Sequence, residues 1–170
     1  MIRNSRTVRA ALVTSAMMAM AGMPAVAATT GSLALSGTAP GILEITVTGV
    51  TGYQALALST DVTDLKIATV VEKSNKYGGY TVLVESSNAV ANVTGPSLDS
   101  AVTGEKLSYS LKYDSAAVAF TTGSSLITDS ASKTPKAGTS KEMTISFAGA
   151  DANLAEGTYT DTLTFTIAAK

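Results

Sequence analysis

Apolar positions in this chain recur every second residue, not every third or fourth, and that spacing predicts strands almost throughout. In "GILEITVTG" Ile42 or Leu43 opens a run with Ile45 and Val47 on one face and Glu44, Thr46 and Thr48 on the other. "KLSYSLKYD" alternates strictly through Leu107, Tyr109, Leu111 and Tyr113, and "AAVAF" continues after an Asp114-Ser115 break. "EMTISFAG" aligns Met143, Ile145 and Phe147. "TYTDTLTFTIAAK" aligns Tyr159, Leu163, Phe165 and Ile167 against Thr160, Thr162, Thr164 and Thr166. The polar phase is mostly Thr and Ser, which suit a solvated pleated face.

"DLKIATVVEKSNKYGGYTVLVESS" predicts a hairpin. Leu65, Ile67 and Val70 or Val71 form one arm, Tyr80, Val82 and Val84 the other, and Ser74 to Gly79 the turn. "YQALALS" alternates in either phase and decides nothing. Residues 94–104 and 128–141 are expected as loops, and "ADANLAEG" as at most one helical turn capped by Asp151. Turn signals every 8–15 residues, without helical periodicity, predict an all-β sandwich or barrel rather than βαβ units.

The first 27 residues have a different pattern. Arg3, Arg6 and Arg9 precede an uncharged, largely apolar run from Ala10 to Met23, and Pro24 leads into Ala25-Val26-Ala27. This is the layout of a cleaved export signal, with the cut expected after Ala27. The run is a weak candidate for a retained span because it is rich in small residues and broken by Pro24. Removal of residues 1–27 takes all three arginines and five of six methionines, leaving nine lysines against thirteen acids, a net charge of −4. A body without arginine and with net negative charge offers no footprint for nucleic acid.

The chain has no His and no Cys, which removes Ser-His-Asp triads, thiol nucleophiles, disulfides and thiolate metal sites. What remains is sparse. Ser74 with Lys73 or Lys76, and Ser140 with Lys141, are local Ser-Lys pairs, but such chemistry needs a buried lysine of lowered pKa. Asp61 with Asp64, and Asp151 with Glu156, are carboxylate pairs in turns, and no calcium-loop spacing is present. Asn92-Val93-Thr94 matches a glycosylation acceptor. No catalytic, cofactor-binding or metal-binding residue and no cofactor is assigned. Tyr159, behind a Gly at the entry of the last strand, is expected to pack inward and hydrogen-bond nearby backbone.

The stretch "ATTGSLALSGTAPG", residues 28–41, alternates directly after the predicted cut, with Leu33 and Leu35 in one phase. It is either the domain's own first strand or a strand for a neighbour. Together with "TVVEKSNKYGGYTVLVESS" and the ending "LAEGTYTDTLTFTIAAK", it makes residues 28–170 resemble pilin subunits of bacterial chaperone–usher fibres. The likeness is to cysteine-free alpha-type major subunits, with some likeness to the spore coat protein U family. That resemblance implies an immunoglobulin-like antiparallel β-sandwich at 42–170 that lacks its last strand and is completed by donation. The donor arm would present Gly31, Leu33, Leu35, Gly37 and Ala39. Leu163, Phe165 and Ile167 on the last strand would border the receiving groove and face a periplasmic chaperone. The implied partners are other copies in a fibre, that chaperone and an outer-membrane usher, with the membrane met only through export to the periplasm and cell surface. The competing expectation is an autonomous secreted sandwich that binds a glycan or surface ligand.

Overall fold

A computed structural model describes residues 29–89, 95–121 and 123–170. The predicted export signal and Asn92-Val93-Thr94 lie outside them. The chain divides into two units, Met1–Gly37 and Thr38–Lys170. The second is all-β: eleven strands are paired antiparallel, and there is no helix among the described residues.

In chain order the strands are β1 (Leu43–Gly49), β2 (Val62–Ser74), β3 (Tyr80–Ser86), β4 (Ser97–Ser100), β5 (Lys106–Ser108) and β6 (Ser110–Tyr113). They continue with β7 (Ala116–Ala117), β8 (Ser124–Ser130), β9 (Thr139–Phe147), β10 (Tyr159–Thr160) and β11 (Leu163–Ala169). One sheet has the order β1-β2-β9-β6-β7. The facing layer is made of β11-β3-β8 and a small sheet, β10-β4-β5. The core between them is built on Val70 of β2, Leu111 and Tyr113 of β6, and Met143, Ile145 and Phe147 of β9, with Ile127, Leu163 and Phe165 packing from the other layer. The strict alternations of "KLSYSLKYD" and "EMTISFAG" are therefore inward faces. Tyr113-Asp114-Ser115-Ala116 closes the β6–β7 hairpin with positive φ at both central residues, 50° and 69°. Such a turn follows the twist of the strands it joins.

Several expectations are corrected. The 65–84 segment is not a hairpin: β2 pairs with β1 and β9, while β3 pairs with β11 and β8, so Asn75–Gly79 is a corner between sheets. Gly79 is required there, because its φ is +88° and a Cβ would lie 2.0 Å from the Ser130 carbonyl oxygen. The buried phase of β2 does not run through Leu65, while Ile67 is half-buried against the core. Register shifts at Val62/Leu65 and Lys66/Ala68 reset the phase to Ala68, Val70, Glu72 and Ser74, and leave Leu65 exposed. Residues 94–104 are not all loop, since β4 occupies Ser97–Ser100. The last predicted strand is also split. β10 pairs with β4 and β11 with β3, so the chain changes sheet at Asp161-Thr162. In the 128–141 stretch, β8 runs on to Ser130 and Thr134 is tied to the Ser74 backbone, its hydroxyl oxygen accepting from Ser74 N–H at 3.0 Å.

Phase resetting in β2 buries a carboxylate completely. Glu72 has no exposed surface and accepts from Tyr113 at 2.6 Å, Thr128 at 2.6 Å and Tyr80 at 2.9 Å. Lys141 Nζ lies 3.8 Å from the carboxylate, donates to Thr128 at 3.0 Å and stacks 5.2 Å from the centre of the Tyr113 ring. Five strands from both layers meet at this one group. A buried charge is tolerated only when paired and hydrogen-bonded, and each of these donors is in place. Burial first, then the bond to Glu72, pushes Tyr80 up to about 12 and raises Tyr113 as well.

Two predictions follow from the cluster. Tyr113→Phe deprives the buried carboxylate of a donor and should cost about 1.5–3 kcal/mol in urea unfolding. For Tyr80 the fold favours the neutral phenol over an ordinary value of 10.0. Its contribution is thus complete below pH 10 and is lost as pH rises toward about 12. Unfolding midpoints should fall across that window together with the appearance of tyrosinate absorbance; a flat stability profile there would refute the coupling.

Candidate functional site: an open cleft between two edge strands

β1 and β11 are edge strands of opposite layers, and they lie against each other along one side of the body. Each has one ladder partner, β2 and β3 respectively, and none on its outer side among the described residues. Their inward faces are unusually open. Val47 is 44 % exposed, and Leu163, Phe165 and Ile167 are only half-buried, whereas Val82 and Val84 on neighbouring β3 are fully buried. The difference comes from position, not from residue type: β3 has a strand on either side and β11 has one.

Between the two edges lies a cleft of about 420 Å³. Val47 and Gly49 form one wall, Leu163 and Phe165 the other, and Ala68, Tyr109, Met143 and Ile145 the floor. Tyr53, Gln54 and Leu56 of the 50–61 loop line one end. Tyr53 can lie on β1 only because residue 49 is glycine, as a Cβ there would fall 2.5 Å from the ring. Tyr53 remains 47 % exposed at the rim.

The same end of the cleft is fixed by a carboxylate. Asp161 accepts from Ser86 at 2.6 Å, from Ser87 at 2.7 Å, from the Tyr109 hydroxyl and from the Asn88 backbone at 3.3 Å. Asn88 in turn donates to the carbonyls of Thr160 and Ser97, at 2.6 and 2.8 Å. These bonds pin the residue where the chain leaves β10 for β11, and so set the line of the β11 edge. Burial and the bond to Asp161 raise Tyr109. Tyr159 is half-buried; its hydroxyl donates to Glu105 at 2.5 Å and lies 3.0 Å from the Ala155 carbonyl, a structural tie to nearby backbone.

At the other end, Asn75 in the β2–β3 corner grips the start of β1. Its side-chain oxygen accepts from Ile42 N–H at 2.6 Å, its amide donates to the Pro40 carbonyl at 2.7 Å, and its backbone N–H donates to Ile42 at 3.1 Å. Lys170 N–H donates to the Gly79 carbonyl at 3.3 Å, so one corner holds the beginning of β1 and the end of β11.

Of the predicted arm residues, Gly31, Leu33, Leu35 and Gly37 belong to the first unit, and Ala39 to the second. None of residues 29–42 is in a strand; Leu33 and Leu35 are 84 % and 86 % exposed, and nothing lies within 4 Å of where a Cβ would sit on Gly31 or Gly37. Leu163, Phe165 and Ile167 share one face of β11, and the first two line the cleft. The β1 wall and Asp161 were not singled out as site residues from sequence, whereas Tyr53 is one of five tyrosines, with Tyr77, Tyr80, Tyr109 and Tyr113, that by sequence either line a sugar-binding surface or cap the core. "TGVTGYQALAL" does carry a signal for the β1 wall and Tyr53, a glycine four residues before an aromatic.

Part of the residual chemistry of the sequence is tied up elsewhere. Lys73 pairs with Glu44 at 3.1 Å and Lys112 with Asp64 at 2.7 Å, which holds Asp64 below the usual carboxylate range. Asp61 accepts from Ala150 N–H at 3.0 Å. Among the described residues no three acids are grouped as a metal site would require. No protein-family model matches the chain, and no curated protein matches it in sequence.

An unfilled cleft has a measurable consequence. Met143→Ala removes a fully buried side chain and should cost about 2–5 kcal/mol. Phe165→Ala should cost less than the roughly 3–5 kcal/mol of a fully packed phenylalanine. Equal losses in denaturant titrations would mean that the β11 face is already packed.

Proposed function

We propose that this chain is a structural subunit of a bacterial surface fibre, an immunoglobulin-like sandwich one strand short that is completed by another copy. The observation that carries this reading is the pair of unpartnered edges, β1 and β11, with an apolar cleft between them. A strand inserted there would pair with an edge and bury the inward faces of both, the physical basis of strand addition. Residues 29–39, with Leu33 and Leu35 in one phase, are the proposed donor. Burial of two leucines is worth roughly 3–6 kcal/mol at about 1.5–3 each, and each ladder bond adds about 0.5–1.5 kcal/mol net.

An open edge beside exposed apolar side chains promotes uncontrolled pairing. The proposed route therefore passes through a periplasmic chaperone that occupies the cleft until an outer-membrane usher exchanges it for the next subunit's arm. Gly31 and Gly37 would then fall where the cleft is shallow, and Leu33 and Leu35 where it is deep. The fibre would stand on the cell surface after export through the signal at residues 1–27.

A second reading rests on the dimensions of the same cleft. About 420 Å³ lies within the range of small-ligand pockets, and Tyr53 and Gln54 at the rim suit a glycan bound by an autonomous secreted sandwich.

One experiment separates the two. Deletion of residues 28–39 should leave an exported protein that no longer polymerises, and a synthetic peptide of those residues should raise its thermal midpoint. Leu33→Asp in the peptide should abolish the rise. Assembly that survives the deletion would rule out the donor role, and a concentration-independent monomer before and after deletion would favour the binding module.

A further inference from the structure

The two ends of the body differ in shape and in charge. β2 runs between them, thirteen residues and roughly 40 Å. At the Ser74 end, the corner at 75–79 and the loop at 131–138 carry Lys76, Lys133 and Lys136 and no acid. Tyr77 stands at the tip of this corner, 99 % exposed. At the Val62 end, the loops at 50–61 and 148–158 carry Asp61, Asp151 and Glu156 and no lysine. Lys106, on the flanking β4–β5 hairpin, is paired with Asp99. These two loops enclose a second open cleft of about 610 Å³, with Leu56, Leu58 and Leu154 on its walls.

We propose that copies of this chain meet end to end, the Tyr77 corner of one body seated in the Leu56–Leu58–Leu154 cleft of the next. This contact rests on the fibre reading above. Asn75 grips Pro40 and Ile42, so the chain enters the body at the Tyr77 end, and an arm donated from there brings that end against the recipient. Charge decides which end of the recipient it meets. Two lysine-bearing ends repel, whereas Lys133 and Lys136 face Asp151 and Glu156 when unlike ends meet. Like ends would make a self-complementary contact that closes as a dimer; unlike ends make a contact that repeats without closing. Tyr77 supplies the aromatic anchor common at the centre of interfaces, and the surrounding charges make the contact weaken with salt.

The chain contains no cysteine, so introduced thiols report the contact without background. The full chain carrying Tyr77→Cys and Leu154→Cys should give, after export, assembly and oxidation, a ladder of covalent multimers on a denaturing gel. Each single variant should stay monomeric. Dimers from Tyr77→Cys alone would show like ends meeting and overturn the proposal. A companion chain with Leu33→Cys and Phe165→Cys reports the arm in the β1–β11 cleft. A ladder there without one from the Tyr77/Leu154 pair overturns the end contact and leaves the fibre reading standing; no ladder from either overturns both. Because Leu154 is half-buried, a surface charge swap provides a second measure. Lys133→Glu with Lys136→Glu should reduce the assembled fraction several-fold, and adding Asp151→Lys with Glu156→Lys to the same chain should restore it. Absence of that recovery would also overturn the pairing.

Discussion

Backbone groups along the outer edges of β1 and β11 have no ladder partner among the described residues, and the apolar faces that these strands turn inward are consequently half-covered. A strand's amides and carbonyls can be satisfied by water, but Phe165, Leu163 and Val47 cannot be. The body is therefore well packed around Met143 and Leu111 and under-packed along one side. An edge of this kind is normally covered, shortened or charged. Here β11 is seven residues long, with only Thr164 and Thr166 to blunt it on the outer face.

Two polar knots stand toward the ends of the body. Glu72 draws Tyr80, Tyr113, Thr128 and Lys141 together from both layers, and so ties the two sheets through directional bonds. Asp161 does the same where the chain crosses from β10 to β11. Networks of this sort are stabilising only when every member is satisfied, and no buried side-chain polar atom among the described residues lacks a partner. Directional bonds can thus define a half-open sandwich where close packing alone would favour closure.

Strand phase was legible wherever a strand keeps one phase and one sheet. Met143 to Phe147 in β9 are inward as their alternation requires, and Leu107 to Tyr113 stay buried although that stretch passes from β5 in one sheet to β6 in another. Phase was not legible in β2, because a register shift moves every later side chain to the opposite face, and it is the shifted phase that buries Glu72. The corner at 75–79 resembled a hairpin because Asn and two glycines satisfy either geometry locally. Only the partners of β2 and β3 distinguish a turn within a sheet from a crossing between sheets. Of the cleft, the shared apolar face of Leu163 and Phe165 on β11 was visible in sequence as alternation. The place of the β1 wall and of Tyr53 beside it was not, since that depends on which strands end up as neighbours.

The amino-acid sequence by itself determined an all-β chain, the identity of most inward faces, the absence of thiol and imidazole chemistry, and an alternating segment ahead of the first strand. These are properties of local pattern and composition, set by the two-residue period of the strand and by which side chains are present. Tertiary structure alone decided which edges among the described residues remain unpaired, that a glutamate is fully buried between the layers, and that the loops bearing Lys76, Lys133 and Lys136 share one end while those bearing Asp61, Asp151 and Glu156 share the other. Those outcomes depend on contacts between residues far apart in the chain, such as Glu72 with Tyr113 and Thr128, and no local period encodes them.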